Sequence, residues 1–148
     1  MDWLKDMFTN PFLITSVGSW FVAQVLKTIL HLIIYKKLDF QRLYGDGGMP
    51  SGHSATVSSL ALMCGLSFGF GSVEFAISGV LAVIVCHDAM GVRRETGKQA
   101  LIINELLSYF EPGHKTDLKE LVGHTPLQVM AGIIIVIINA LLMFYVIL

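Results

Sequence analysis

The sequence predicts an all-α, polytopic membrane protein with about four transmembrane helices. An amphipathic helix is expected in the long polar loop between spans three and four. Two observations carry this expectation. The chain is 54% hydrophobic and only 14% charged, whereas water-soluble domains usually have about a quarter of their residues charged. Its apolar runs also approach the roughly 20 residues needed to cross a bilayer, separated by short segments rich in charge, glycine and proline. The mean hydropathy of +0.69 agrees with both. With 148 residues, a single membrane-embedded domain over 1–148 is expected. The formal net charge of −1 gives no clustered basic face, so nucleic acid is excluded as a partner. Cys64 and Cys86 lie inside apolar runs and read as packed small residues. No cleavable leader is expected, because the apolar run after Lys5 is too long for a signal core.

Residues 1–11 read as an interfacial segment. Trp3, Met7 and Phe8 alternate with Asp2, Lys5 and Asp6, and Pro11 closes it. Residues 12–35 form span one. Its Gln24, Lys27 and His31 recur at three and four residues and so share one helix face. Ionisable groups inside a span face the bundle interior or a cavity, which favours a functional Lys27 over one snorkelling to the interface. His31 reads as a packing residue. Residues 36–50 are a polar loop with Lys36, Lys37, Asp39, Arg42 and Asp46.

Residues 51–70 form span two. The stretch Gly47-Gly48-Met49-Pro50-Ser51-Gly52-His53-Ser54-Ala55 opens it. Pro50 fixes its own φ and pushes Met49 out of the helical region. Ser51 then suits an N-cap. The N–H groups of the first turn point out from the helix end and favour an anion. His53 stands there to give or take a proton. Ser54, Thr56, Ser58 and Ser59, with Ala55 and Ala61, suit close helix packing. These small residues also offer a face for a homodimer.

Residues 72–89 form span three, ending Cys86-His87-Asp88-Ala89. An acid at a helix C-terminus opposes the macrodipole, and Arg93 and Arg94 follow to pair with Asp88 and build a site. Gly91 and Gly97 bracket the next turn. Lys98–Phe110 then reads as the amphipathic helix, with Leu101, Ile102, Glu105 and Leu106 at helical spacing. Pro112-Gly113 breaks it. Thr116 or Asp117 can cap a short helix to about Val122, with Glu120 as the third-residue acid. Residues 125–148 form span four, with Thr125 as N-cap and Pro126 as first helical residue. His124 immediately precedes it.

This plan places His53, Asp88, Arg93, Arg94 and His124 at one membrane surface, with both termini at the other. The site side holds Lys36, Lys37, Arg42, Arg93, Arg94, Lys98, Lys115 and Lys119; the opposite side holds only Lys5. The positive-inside rule therefore predicts a pocket toward the cytoplasm of a bacterial-type inner membrane.

Gly47 to Ala55 resembles the central motif of the type-2 phosphatidic acid phosphatase superfamily, which includes the vanadium-dependent haloperoxidases. Two further blocks, Asp88 to Ala100 and Leu118 to Pro126, make the chain similar to that superfamily's divergent branch of small membrane proteins. The resemblance implies a helical fold and hydrolysis of a phosphate ester without a metal or other cofactor. His53 matches the general acid. Lys27 stands for the first-motif lysine, though the Arg-Pro that follows it in the superfamily is missing. Arg93 or Arg94 stands for the third-motif arginine, and Ser51 and Gly52 complete the phosphate-binding set. The superfamily's nucleophilic histidine lies six residues after that arginine. Here those positions are Gln99 and Ala100. His124 is the replacement candidate, oriented by Glu120 or Asp88, with His87 as a weaker alternative.

The implied function is a membrane phosphatase acting on a lipid phosphate or a polyprenyl (pyro)phosphate. The rival reading is a non-catalytic lipid-phosphate binder or transporter that keeps the pocket. The two differ in geometry, because the enzyme needs His53 and His124 at one anion-sized site.

Overall fold

The computed structural model describes residues 2–36, 49–110, 118 and 124–147. Gly47, Gly48, Lys37, Arg42 and the segment holding Thr116, Asp117 and Glu120 lie outside the described residues. The described residues form helices α1 (Asp2–Phe8), α2 (Pro11–Tyr35), α3 (Gly52–Phe68), α4 (Val73–Met90), α5 (Val92–Phe110) and α6 (Pro126–Ile147).

Each main helix starts where its sequence supplies a cap. The Asn10 side chain accepts from the N–H groups of Phe12 and Leu13, at 2.9 and 3.2 Å. Pro11 therefore opens α2 rather than closing the interfacial segment, since a proline in the first helical position sacrifices no hydrogen bond. Ser51 caps α3 through the Ser54 N–H. Ser72 caps α4 through the Phe75 N–H at 3.1 Å. At α6, Thr125 Oγ1 accepts from the Gln128 N–H while Gln128 Oε1 accepts from the Thr125 N–H. That reciprocal pair is a capping box.

α3 is the central helix, packed against α2, α4 and α6, and α2 also meets α6. Its contact faces are built from small residues, with Ala23, Ala55 and Val136 fully buried together. Small side chains let backbones approach, which is how helices associate where lipid supplies no hydrophobic drive. Several hydroxyls in this packing turn back onto their own helices. Ser16 donates to Phe12 O, Thr56 to Gly52 O and Ser78 to Glu74 O, at 2.7 to 2.8 Å. Between helices, Asn139 Nδ2 donates to Ser19 Oγ at 2.7 Å and pins α6 to α2.

α2 and α4 belong to stretches long and apolar enough to cross a bilayer, and α6 carries a shorter apolar run. Only 28% and 11% of the two apolar windows are buried within the protein. They are therefore not the core of a water-soluble fold, and their outward Val17, Phe21, Val80, Val83 and Ile84 call for a lipid surround.

The amphipathic helix begins at Val92, earlier than its periodicity suggests. Gly91 makes the break, with its N–H on His87 O at 2.8 Å. Gly97 does not break the chain. It lies inside α5 and is buried, as is Ala100, so the glycine serves as a small contact position. α5 leans on α4 and leaves Leu101, Ile102, Leu106, Tyr109 and Phe110 exposed. The Asn104 carboxamide donates to Leu118 O and accepts from Leu118 N–H, both at 2.9 Å. These two bonds tie Leu118 to α5.

Candidate functional site

The site is assembled where the N-terminus of α3 meets the start of α6 and the end of α4. Ser51 is fully buried. Its Oγ accepts from the Ser54 N–H at 3.3 Å and from the Ser54 hydroxyl at 3.0 Å. Its own N–H donates to Gln128 O at 3.3 Å. Ser51 thus fixes the turn and ties it to α6. The N–H groups of Gly52 and His53 have no carbonyl within α3 to bond, by the geometry of a helix start.

The close approach of α6 depends on Gly132. A Cβ there would lie 2.9 Å from Ser51 O and 3.4 Å from both Ser51 N and Ser54 Cβ. Only a residue without a side chain lets the α6 backbone pass so near the turn that carries His53.

His124 is held from the other side. Its N–H donates to Ala89 O at 2.8 Å, so the last turn of α4 grips the residue preceding the α6 cap. His124 is 2% exposed, and His53 is half-buried. Their ring centroids are 5.8 Å apart, with ring planes inclined at 58°. Two imidazoles far apart in sequence therefore share one small space, and one ring is nearly sealed from water.

α2 supplies the remaining wall. Gln24 and Lys27 are 5% and 4% exposed, so the polar stripe of α2 turns inward. A Cβ on Gly52 would meet Trp20 Cδ1 at 3.1 Å and Gln24 Cδ at 3.9 Å. The head of α3 is thus seated against this stripe. His31 stacks on Tyr35 with centroids 4.7 Å apart, in keeping with packing.

The polar residues after α4 divide. Arg93 Nε donates to Asp88 Oδ2 at 3.1 Å, with both side chains about two-fifths exposed. An ion pair this wet contributes about 0–1 kcal/mol, so its value is placement. The Asp88 carboxylate is bonded by Arg93, and the next residue, Ala89, holds His124 through its carbonyl. Arg94 and His87 are exposed, and Gln99, six residues after Arg93, is exposed on α5. Glu120 lies outside the described residues.

Trp20, Gln128 and Gly132 are structural members of the site that the sequence reading did not single out. Thr125-x-x-Gln128 is a readable capping box, and Trp20 lies one turn before Gln24 on the same face. Gly132, a glycine within an apolar run, carries no signal of its own. In chemical terms, the site offers two imidazoles and backbone donors at a helix N-terminus, and Lys27 is buried on α2 about one turn beyond Gln24. That set suits a phosphate and proton transfer to it.

The chain is 38% identical over 141 residues to the "Uncharacterized membrane protein YuiD" of Bacillus subtilis (strain 168), covering 86% of this chain and 89% of that protein. No solved structure matches. Residues 8–139 match the Divergent PAP2 family. This span takes in α2 to α5 and most of α6, and a membrane protein of the divergent PAP2 family, within a phosphatase-related superfamily, is what this chain is.

Proposed function

We propose that this protein hydrolyses the phosphate of a membrane lipid phosphate or polyprenyl (pyro)phosphate through its two histidines. The observation that carries the reading is the 5.8 Å separation of the His53 and His124 rings. A phosphoryl group held near both is within reach of attack from one imidazole and proton donation from the other.

His124 attacks phosphorus, and the bond to the lipid oxygen breaks. His53 donates a proton to that oxygen, releasing the lipid alcohol and leaving a phosphohistidine. In the second step His53 takes a proton from water, the water oxygen attacks phosphorus, and inorganic phosphate leaves His124. Lys27, Arg93, Arg94 and the N–H groups of Gly52 and His53 stabilise the charge on the phosphoryl oxygens. Asp88, drawn to Arg93, positions the end of α4 that holds His124; Glu120 is the alternative orienter. No metal or cofactor has a role in these steps. The pocket faces the cytoplasm, with both termini opposite.

A second reading keeps the pocket without the chemistry, as a lipid-phosphate binder or transporter. Gln99 and Ala100, where the superfamily's nucleophilic histidine would stand, favour it. Phosphate release from a panel of lipid phosphates by the detergent-purified protein separates the two. The hydrolase reading expects release that falls by about 10²–10⁴-fold or more in His53→Ala and His124→Ala alike. No release from any substrate, with saturable lipid-phosphate binding, would establish the second reading.

A further inference from the structure

Trp20 presents a hydrogen-bond donor that the mechanism above does not use. It is half-buried on α2, one turn before Gln24. A Cβ on Gly52 would stand 3.1 Å from Trp20 Cδ1 and 3.4 Å from Trp20 Nε1. The indole atoms nearest the first residue of α3 are therefore those of the pyrrole edge, which carries the N–H. Any side chain at position 52 would press on this edge, so the glycine keeps the indole against the helix start. An indole nitrogen is a donor only, and when buried it usually finds a partner. The Trp20 Nε1–H has no acceptor among the described residues and keeps accessible surface. At the same level stand the N–H groups of Gly52 and His53, donors as well, and the His53 ring that faces His124. Donors from two helices thus meet beside the paired imidazoles, and an oxyanion is the ligand that answers them.

We propose that the Trp20 indole N–H donates a hydrogen bond to a non-bridging oxygen of the phosphoryl group bound at the head of α3. This rests on the reading of the site as a phosphate site. The contact adds a wall to that site. His124 is held from α4 through Ala89 O, whereas Trp20 reaches the ligand from α2. The donor is neutral, so it stands inside the bundle without the desolvation cost of a further buried cation. Against an ionised oxygen its hydrogen bond is of the stronger, charge-assisted kind.

The test reads the indole proton itself. The chain has two tryptophans, and Trp3 is 64% exposed on α1. In a Trp3→Phe background the indole N–H resonance in a proton–nitrogen spectrum belongs to Trp20 alone. Titration of this protein in detergent with inorganic phosphate should move that resonance downfield, with the same midpoint as equilibrium binding of labelled phosphate. The benzothiophene analogue of tryptophan, incorporated at position 20 in the same background, keeps the shape and replaces the N–H by sulfur. It should weaken phosphate binding by about tenfold or more, as loss of a hydrogen bond to a charged group does. Trp20→Phe should do the same and serves if the analogue does not fold. Phosphate binding with an unmoved indole resonance overturns the proposal and leaves the phosphate site intact, whatever the variants do; so does unchanged affinity in a folded variant. Failure of phosphate to bind removes the site and the proposal together. A shifted indole proton in a protein that releases no phosphate leaves the proposal standing and defeats only the hydrolase reading. The same shift with phosphatidic acid in micelles, but not with glycerol phosphate, identifies a lipid head group as the source of the phosphate; the reverse identifies a soluble one.

Discussion

At the scale of single residues, the site depends as much on what is missing as on what is present. Gly132 has no side chain, and that absence lets α6 pass against the Ser51 turn. Gly132→Ala would put a Cβ 2.9 Å from Ser51 O, so the backbone must move. Overpacking of this kind costs about 1–3 kcal/mol. Because the displaced turn carries His53, the variant should lose phosphate release beyond what its lowered thermal midpoint explains. Full activity with an unchanged midpoint would show that the contact is not needed. The histidines themselves were legible in the sequence, because each stands at a capped helix start with a proline nearby. Their meeting was not, since the contact is made by α3, α4 and α6 packing together. Asp88 and Arg93 were readable as a pair for a local reason: an acid at a helix end opposes the dipole and draws the next cation.

At the scale of elements, the caps were legible and the breaks less so. Ser51 and Thr125 announced α3 and α6, because a short side chain that accepts from the first-turn N–H groups is the commonest way to satisfy them. Gly91 and Gly97 look alike in sequence, yet one ends α4 and the other packs inside α5. The difference lies in burial, which is decided by the neighbouring helix. The Thr125–Gln128 box gives a specific expectation. Thr125→Ala should cost about 1 kcal/mol, as lost N-caps do, and should loosen His124 one residue earlier. A lower thermal midpoint with reduced phosphate release is the expected result. Thr125→Ser, which keeps the oxygen, should restore both. α5 follows α4 after one residue and exposes an apolar face beside charged residues. That is the character of a helix lying at the bilayer surface.

At the scale of the molecule, the apolar runs fixed the class of fold. The sequence could not rank the helices by position, because hydropathy reports lipid contact and α3 has less of it. Its serines and alanines mark it as the helix the others enclose, a role only packing reveals. The cytoplasmic sidedness proposed for the site rests on the distribution of cations in the sequence. With Cys64 and Cys86 replaced by alanine, Lys98→Cys should react with a membrane-impermeant thiol reagent only after cells are opened. Labelling of intact cells would place the site on the outer surface.

The central claim is that two histidines act on one phosphate, and the covalent intermediate tests it most directly. The purified protein, mixed briefly with a lipid phosphate and quenched under conditions that preserve phosphohistidine, can be mapped by mass spectrometry. The account predicts a phosphoryl group on His124, accumulating in the wild type and absent from His124→Ala. Phosphorylation of His87 or another residue, or turnover with no phosphoenzyme in the wild type, would contradict it.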